Sequence, residues 1–168
     1  NVIGGVSGKM AEMIGLSNYT ILSPKEQTLK KLFVFAPVDS ADKVRNAIFE
    51  AGGGHIGNYS ECSFNTGGTG TFKAGQGTDP YVGKAGTRHQ EEELKIEVIF
   101  PGFLENRIIS AMKAAHPYEE VAYDLVSLTN SHQGIGSGVI GELKEAMAEQ
   151  AFLKHLKAIF GLSVVRHT

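Results

Sequence analysis

An α+β sandwich with the element order β-α-β-β-α-β is the fold this sequence predicts, and three observations predict it. Two strand-helix-strand segments match each other at one fixed offset. Their strands alternate apolar and polar residues, and their helices repeat apolar residues every three or four positions. Each helix also meets a stop signal: Gly52-Gly53-Gly54 in the first segment and His116-Pro117 in the second. Glycine accepts the left-handed turn that ends a helix, and the residue before a proline is pushed out of helical geometry.

The elements follow in order. Val6, Met10, Met13 and Ile14 have helical spacing over Val6 to Leu16, and Tyr19 to Leu22 reads as a short strand. Ser23-Pro24-Lys25-Glu26-Gln27 is a polar stretch with a proline, where a domain boundary is expected. Lys30 to Val38 reads as a strand. Asp39-Ser40-Ala41-Asp42 reads as a helix start, with a side-chain oxygen available to cap free amides. Ala41, Val44, Ala47, Ile48 and Ala51 then share a face. His55 to Phe64 reads as the next strand, and the glycine-rich stretch from Asn65 to Gln90 as a long loop with a brief return strand at Thr71-Phe72. Leu94 to Phe100 reads as a strand, preceded by an acidic run at Glu91 to Glu93 that would discourage wrong edge pairing. Leu104, Ile108, Ile109, Met112 and Ala115 mark the second helix, and Glu119 to Leu128 the fourth strand. A strand near Gly138 to Leu143, a helix from Ala146 to Phe160 and a strand from Leu162 to Arg166 complete the chain.

The repeat pairs Lys31 with Lys95, Leu32 with Ile96, Val34 with Val98 and Pro37 with Pro101. It continues through Val44 and Ile108, Ala47 and Ala111, Ile48 and Met112, Ala51 and Ala115, and Tyr59 and Tyr123. A duplicated unit of this kind has a preferred solution, the ferredoxin-like sandwich, with both helices on one face of a four-stranded sheet. Apolar residues on the other face would be left in water, which argues for covering it with another subunit.

Composition bounds the function classes. With 168 residues the chain holds one domain, or one domain with fragments of another. A net charge of −2 without a basic stripe argues against nucleic acid as a partner. No apolar run is long enough to span a membrane, and no signal peptide is read. Cys62 is the only cysteine, so no internal disulfide forms and a cytoplasmic setting is expected; its plainest role is that of a small buried hydrophobe. The chain begins at Asn1, and Val164 to Thr168 reads as a strand without a tail, so both ends read as cut.

Two kinds of chemistry are open. His116, Glu119 and Glu120 belong to the densest polar cluster, and by the repeat His55 lies at the position equivalent to Glu119. Strand alternation lets only one of the two glutamates join His116, and His55 enters as the repeat's equivalent of Glu119. Imidazole with carboxylate is a divalent-metal donor set, and a histidine is also a general base near neutrality. The plainer alternative has His116 capping its own helix. Gly67, Gly68, Gly70 and Thr71 offer backbone amides and a hydroxyl that can cradle an anion, with Lys84 adding charge. The loop lacks the ending of a P-loop, and a solvent-exposed hairpin is the plainer alternative. No Ser-His-Asp or Cys-His arrangement is visible in the spacing.

Ala51-Gly52-Gly53-Gly54-His55-Ile56-Gly57-Asn58-Tyr59-Ser60-Glu61-Cys62-Ser63-Phe64, then Gly70-Thr71-Phe72, Pro80-Tyr81-Val82-Gly83 and His116-Pro117-Tyr118-Glu119-Glu120-Val121-Ala122-Tyr123-Asp124, carry a family likeness. They resemble the inserted domain of the Nif3 family, the GTP cyclohydrolase 1 type 2 homologues. Asn1 to Leu16 is similar to the family's segment after its Asn-Leu-Asp motif, and Gly136 to Leu143 to the re-entry into its α/β main domain. The resemblance implies a PII/CutA-like insert over 29–129, flanked by main-domain pieces at 1–23 and 136–168. It implies trimers of inserts that cap a toroidal hexamer, and two divalent metal ions (zinc, iron or manganese) in the main domain. Their ligands would fall before Asn1 and beyond Thr168. It further implies, as alternatives, part of a metal-dependent hydrolase acting on GTP or a related nucleotide, or a PII-like sensor of a small anionic metabolite or nucleotide.

Overall fold

The computed structural model describes residues 2–166. In chain order the elements are α1 (Val6–Ile14), β1 (Leu16–Pro24), β2 (Leu29–Pro37), α2 (Val38–Glu50), β3 (Phe64–Lys73), β4 (Arg88–Pro101), α3 (Glu105–Ala115), β5 (Tyr123–Ser127), β6 (Gly136–Leu143) and α4 (Glu149–Phe160). The chain divides into two compact units, one of Gln27–Asn130 and one of Asn1–Glu26 with Ser131–Thr168.

The Gln27–Asn130 unit is a ferredoxin-like α+β sandwich. Its four strands lie in the order β3-β4-β2-β5, and every neighbouring pair is antiparallel. Alternation in β2 sends Leu32, Val34 and Ala36 to one face, and alternation in β4 sends Ile96, Val98 and Phe100 to the same face. These residues are 0–1 % exposed and form one core with Val44 and Ile48 of α2 and Ile108 and Met112 of α3. Burying each large side chain there stabilises the unit by about 1.5–3 kcal/mol. The two halves of the repeat meet in this sheet: Phe33 pairs with Glu97, its own counterpart, so β2 and β4 run past each other about a local pseudo-twofold.

The repeat fails in its third element. Tyr59 is 76 % exposed, whereas its counterpart Tyr123 packs on the core. His55 to Ser63 forms no strand. Gly54 donates its N–H to Ile99 and accepts from Cys62, and an isolated Ile56–Tyr59 bridge closes a turn through Gly57 at φ 57°. The strand lies further on. Of the glycine-rich stretch from Asn65 to Gln90 expected to be a loop, the part up to Lys73 is β3, whereas 74–87 are a loop. The strand is longer than the brief one expected at Thr71-Phe72 and is paired along its whole length with β4. The acidic run Glu91 to Glu93 accordingly sits inside a central strand, not before an edge.

Smaller expectations also change. The first helix of the unit starts at Val38 directly after Pro37, with no side-chain cap from the Asp39 region; the fixed φ of proline suits that position. Residues 119–122 are irregular, and β5 begins only at Tyr123. The last helix starts at Glu149, and residues 162–166 form no strand; His167 and Thr168, which end the expected strand, lie outside the described residues.

In the other unit β1 and β6 pair antiparallel beside α1 and α4. Gly8 and Ala11 are the buried positions of α1, while Val6, Met10 and Met13 are 72 %, 44 % and 45 % exposed.

Candidate functional site

The sheet face turned away from α2 and α3 is polar and aromatic. Alternation places Glu91, Glu93, Lys95 and Glu97 of β4 on it, beside Phe33 and Phe35 of β2. The apolar surface expected there is therefore largely replaced by charge. At one end Lys31 and Lys95 bind the two oxygens of Glu97, at 3.1 and 2.8 Å, and both ammonium groups lie over the Phe33 ring. Lys95, then Lys31, holds the Glu97 carboxyl below its usual value.

At the other end the face sinks into a cleft of ≈690 Å3 floored by Phe35, Glu93 and the glycines of β3. Its walls are Phe72, Tyr81 and Tyr118, and its rim carries Glu119 and Glu120. Tyr118 is the hub. Its ring centroid is 6.1 Å from both Phe72 and Tyr81, and its hydroxyl donates to Glu93 Oε1 at 2.9 Å. Burial, then that bond, pushes the phenol pKa well above its ordinary value. The Glu93 carboxylate lies against Gly70, where an added Cβ would collide with it. The loop between β3 and β4 is tied across the rim by a bond from the Asp79 N–H to Glu119 Oε2 at 3.2 Å.

His116 positions Tyr118. It leaves α3 in an extended conformation, as a residue before proline must. Its Nδ1 accepts the Tyr118 N–H at 3.1 Å, so Nε2 carries the proton donated to the Phe35 carbonyl at 2.9 Å. The side chain therefore ties its own segment to β2 instead of capping the end of its helix. It is 8 % exposed, and burial holds its pKa below the usual imidazole value against the opposing pull of the Phe35 carbonyl and Glu93. Both nitrogens of this neutral ring are engaged, which leaves it neither a lone pair for a metal nor one for a substrate proton.

The other candidate residues separate. His55 lines a different hollow with Asn46, Phe49, Glu50, Gly53, Ser60 and Glu61. Among the described residues no group of three or more His, Cys, Asp and Glu side chains converges to hold a metal ion. These residues do not make a dinuclear centre. Gly67, Gly68, Gly70 and Thr71 do line the main cleft, while Lys84 is not among its lining residues. The side-chain charge beside those glycines is carboxylate. Glu93, Phe72 and Tyr81 were not singled out as site residues by sequence reasoning; charge at alternate positions of β4 was the signal for a polar face. No helix is long and apolar enough to cross a membrane among the described residues.

Comparison with known proteins covers both units. The chain is 46 % identical over 164 residues to the GTP cyclohydrolase 1 type 2 homolog of Halalkalibacterium halodurans, a match that takes in 97 % of this chain and 44 % of the relative. The homolog of the same name from Bacillus subtilis is 38 % identical over 164 residues, again 97 % of this chain and 44 % of the relative. A solved structure of a Bacillus cereus protein related to NIF3 is 43 % identical, with a TM-score of 0.78 over 97 % of this chain and 43 % of that one. No protein-family model matches. The chain thus spans less than half the length of these relatives. Through the likeness that runs across its whole length, it belongs to the Nif3-related family of GTP cyclohydrolase 1 type 2 homologues.

Proposed function

We propose that the Gln27–Asn130 unit is the assembly and ligand-gating insert of a longer protein whose chemistry resides outside this chain. The observation that carries the reading is β3. It is an edge strand, mostly exposed, with no charged side chain from Phe64 to Phe72, and it forms one wall of the cleft. A long uncharged edge is a template for pairing with another chain. Pairing of β3 with a different edge of the next copy, closed around a threefold axis, would build a trimer of inserts, and such trimers would cap a hexamer of the whole protein. The lone Cys62 supports a reducing, cytoplasmic setting.

Light scattering across a range of concentrations tests the assembly. The expected result is a trimer that Thr69→Lys, which adds charge to β3, drives toward monomer. A monomer at every concentration would overturn it.

A second reading takes the name shared by the relatives at face value: the whole protein would hydrolyse GTP or a related nucleotide, using divalent zinc, iron or manganese held outside this chain. Stripping metal from the full-length protein should then abolish GTP turnover. A third reading, sensing of a small anionic metabolite or nucleotide by Gly67 to Thr71, is favoured by the placement of those glycines on the cleft.

A further inference from the structure

The cleft has a chemistry of its own. Three tilted rings, Phe72, Tyr81 and Tyr118, surround its mouth. Aromatic faces are negative and attract a cation placed over them. Three carboxylates, Glu93, Glu119 and Glu120, line the same space. Among the described residues Lys95 is the only basic one lining the cleft, and its ammonium is bound to Glu97 and lies over Phe33. The Tyr118 hydroxyl, a potential donor to an anion, is already spent on Glu93. The side chains therefore offer acceptors and π faces with little positive charge to oppose them. The volume of ≈690 Å3 falls among those of pockets that hold molecules of many heavy atoms, well beyond a bare metal ion.

We propose that this cleft binds an organic ammonium ion carrying an apolar body. The cationic head sits among the three rings over Glu93. The apolar body lies along Phe35 and the glycines of β3, where the missing side chains leave room. Gly70 matters doubly, since any side chain there would displace the Glu93 carboxylate. Closure of the site falls to the 74–87 loop, which brings Tyr81 to the cleft and is held at Glu119 through Asp79. This rests on the ligand-gating half of the first reading above, competes with the anion-sensing one, and is independent of how the chain assembles.

Isothermal titration calorimetry on the whole chain, in amine-free buffer, tests it. The probes are benzyltrimethylammonium, choline, the neutral choline isostere 3,3-dimethylbutanol, inorganic phosphate and GTP. Both ammonium ions are expected to bind, choline about tenfold more tightly than its neutral isostere, the ratio expected of a partly desolvated cation–π contact. Tyr81→Ala, at a 57 % exposed loop position that the fold does not need, and Glu93→Gln, which keeps an acceptor for Tyr118, should each weaken ammonium binding about fivefold or more. Lys84→Ala should leave it unchanged. Absence of ammonium binding, equal affinity for the neutral isostere, binding untouched by both Tyr81→Ala and Glu93→Gln, or phosphate or GTP bound in place of the cations would overturn the proposal. Light scattering on the same samples separates the two readings: a trimer that ignores ammonium ions sinks only this one, and a monomer that binds them sinks only the assembly.

Discussion

At the scale of single residues, His116 and Tyr118 decide the shape of the cleft, and each makes a measurable prediction. His116→Ala leaves the Phe35 carbonyl and the Tyr118 N–H without their partners. Two such groups cost about 2–6 kcal/mol together, read by denaturant unfolding. The histidine also sets a pH dependence. Its folded pKa is depressed, so below the ordinary value of about 6.5 the unfolded chain takes up a proton that the folded chain resists. Its share of stability is complete above that pH and is lost as pH falls through the folded pKa; His116→Ala should flatten this slope. Tyr118 behaves in the opposite sense. Its raised phenol pKa keeps its contribution intact below about pH 10 and loses it as pH rises further. Absorbance titration of the folded chain should show a tyrosine that ionises above the ordinary phenol range, and Tyr118→Phe should remove it. That change should also cost about 1.5–3 kcal/mol, because the bond to Glu93 involves a charged partner.

At the scale of elements, the repeat predicts a split. Ile48→Ala and Met112→Ala remove equivalent, fully buried side chains and should each cost about 2–5 kcal/mol. Tyr59→Ala, at an exposed position despite its core counterpart Tyr123, should stay within about 0.5 kcal/mol. The same contrast explains what the sequence made legible. Buried faces announce themselves through period: β2, β4, α2 and α3 were all readable from apolar spacing. A glycine-threonine edge strand has no apolar period, so of β3 only Thr71-Phe72 is legible as a strand and the rest is set by pairing with β4. His55 to Ser63 showed the opposite error. Its residues look strand-like, yet Gly54, at φ 76°, packs against Phe49 and closes on Cys62 in a local turn. The cleft was less legible again. Its rings and carboxylates come from β3, β4, the 74–87 loop and the segment after α3, and only the sheet order brings them together. Glu93 read as surface charge because nothing local shows that Tyr118 will reach it.

At the scale of the molecule, the Gln27–Asn130 unit contains its whole core and both clefts. Expressed alone, residues 27–130 should unfold cooperatively by calorimetry; a broad, non-cooperative transition would show that the unit depends on its flanks. The other unit presents the stripe Val6, Met10 and Met13 to solvent, in a chain that spans less than half the length of its relatives. If the chain is part of a longer protein, as proposed above, covering that stripe falls to the rest of it, and that longer protein should bind less of a hydrophobic dye per chain than these residues alone. The central claim concerns β3, and amide hydrogen exchange tests it most directly. In an assembled trimer the β3 amides pointing away from β4 are bonded to a second copy and should exchange as slowly as those of β4. Rapid exchange of those amides at concentrations where the chain is fully folded would mean that β3 is a free edge and that the unit does not assemble through it.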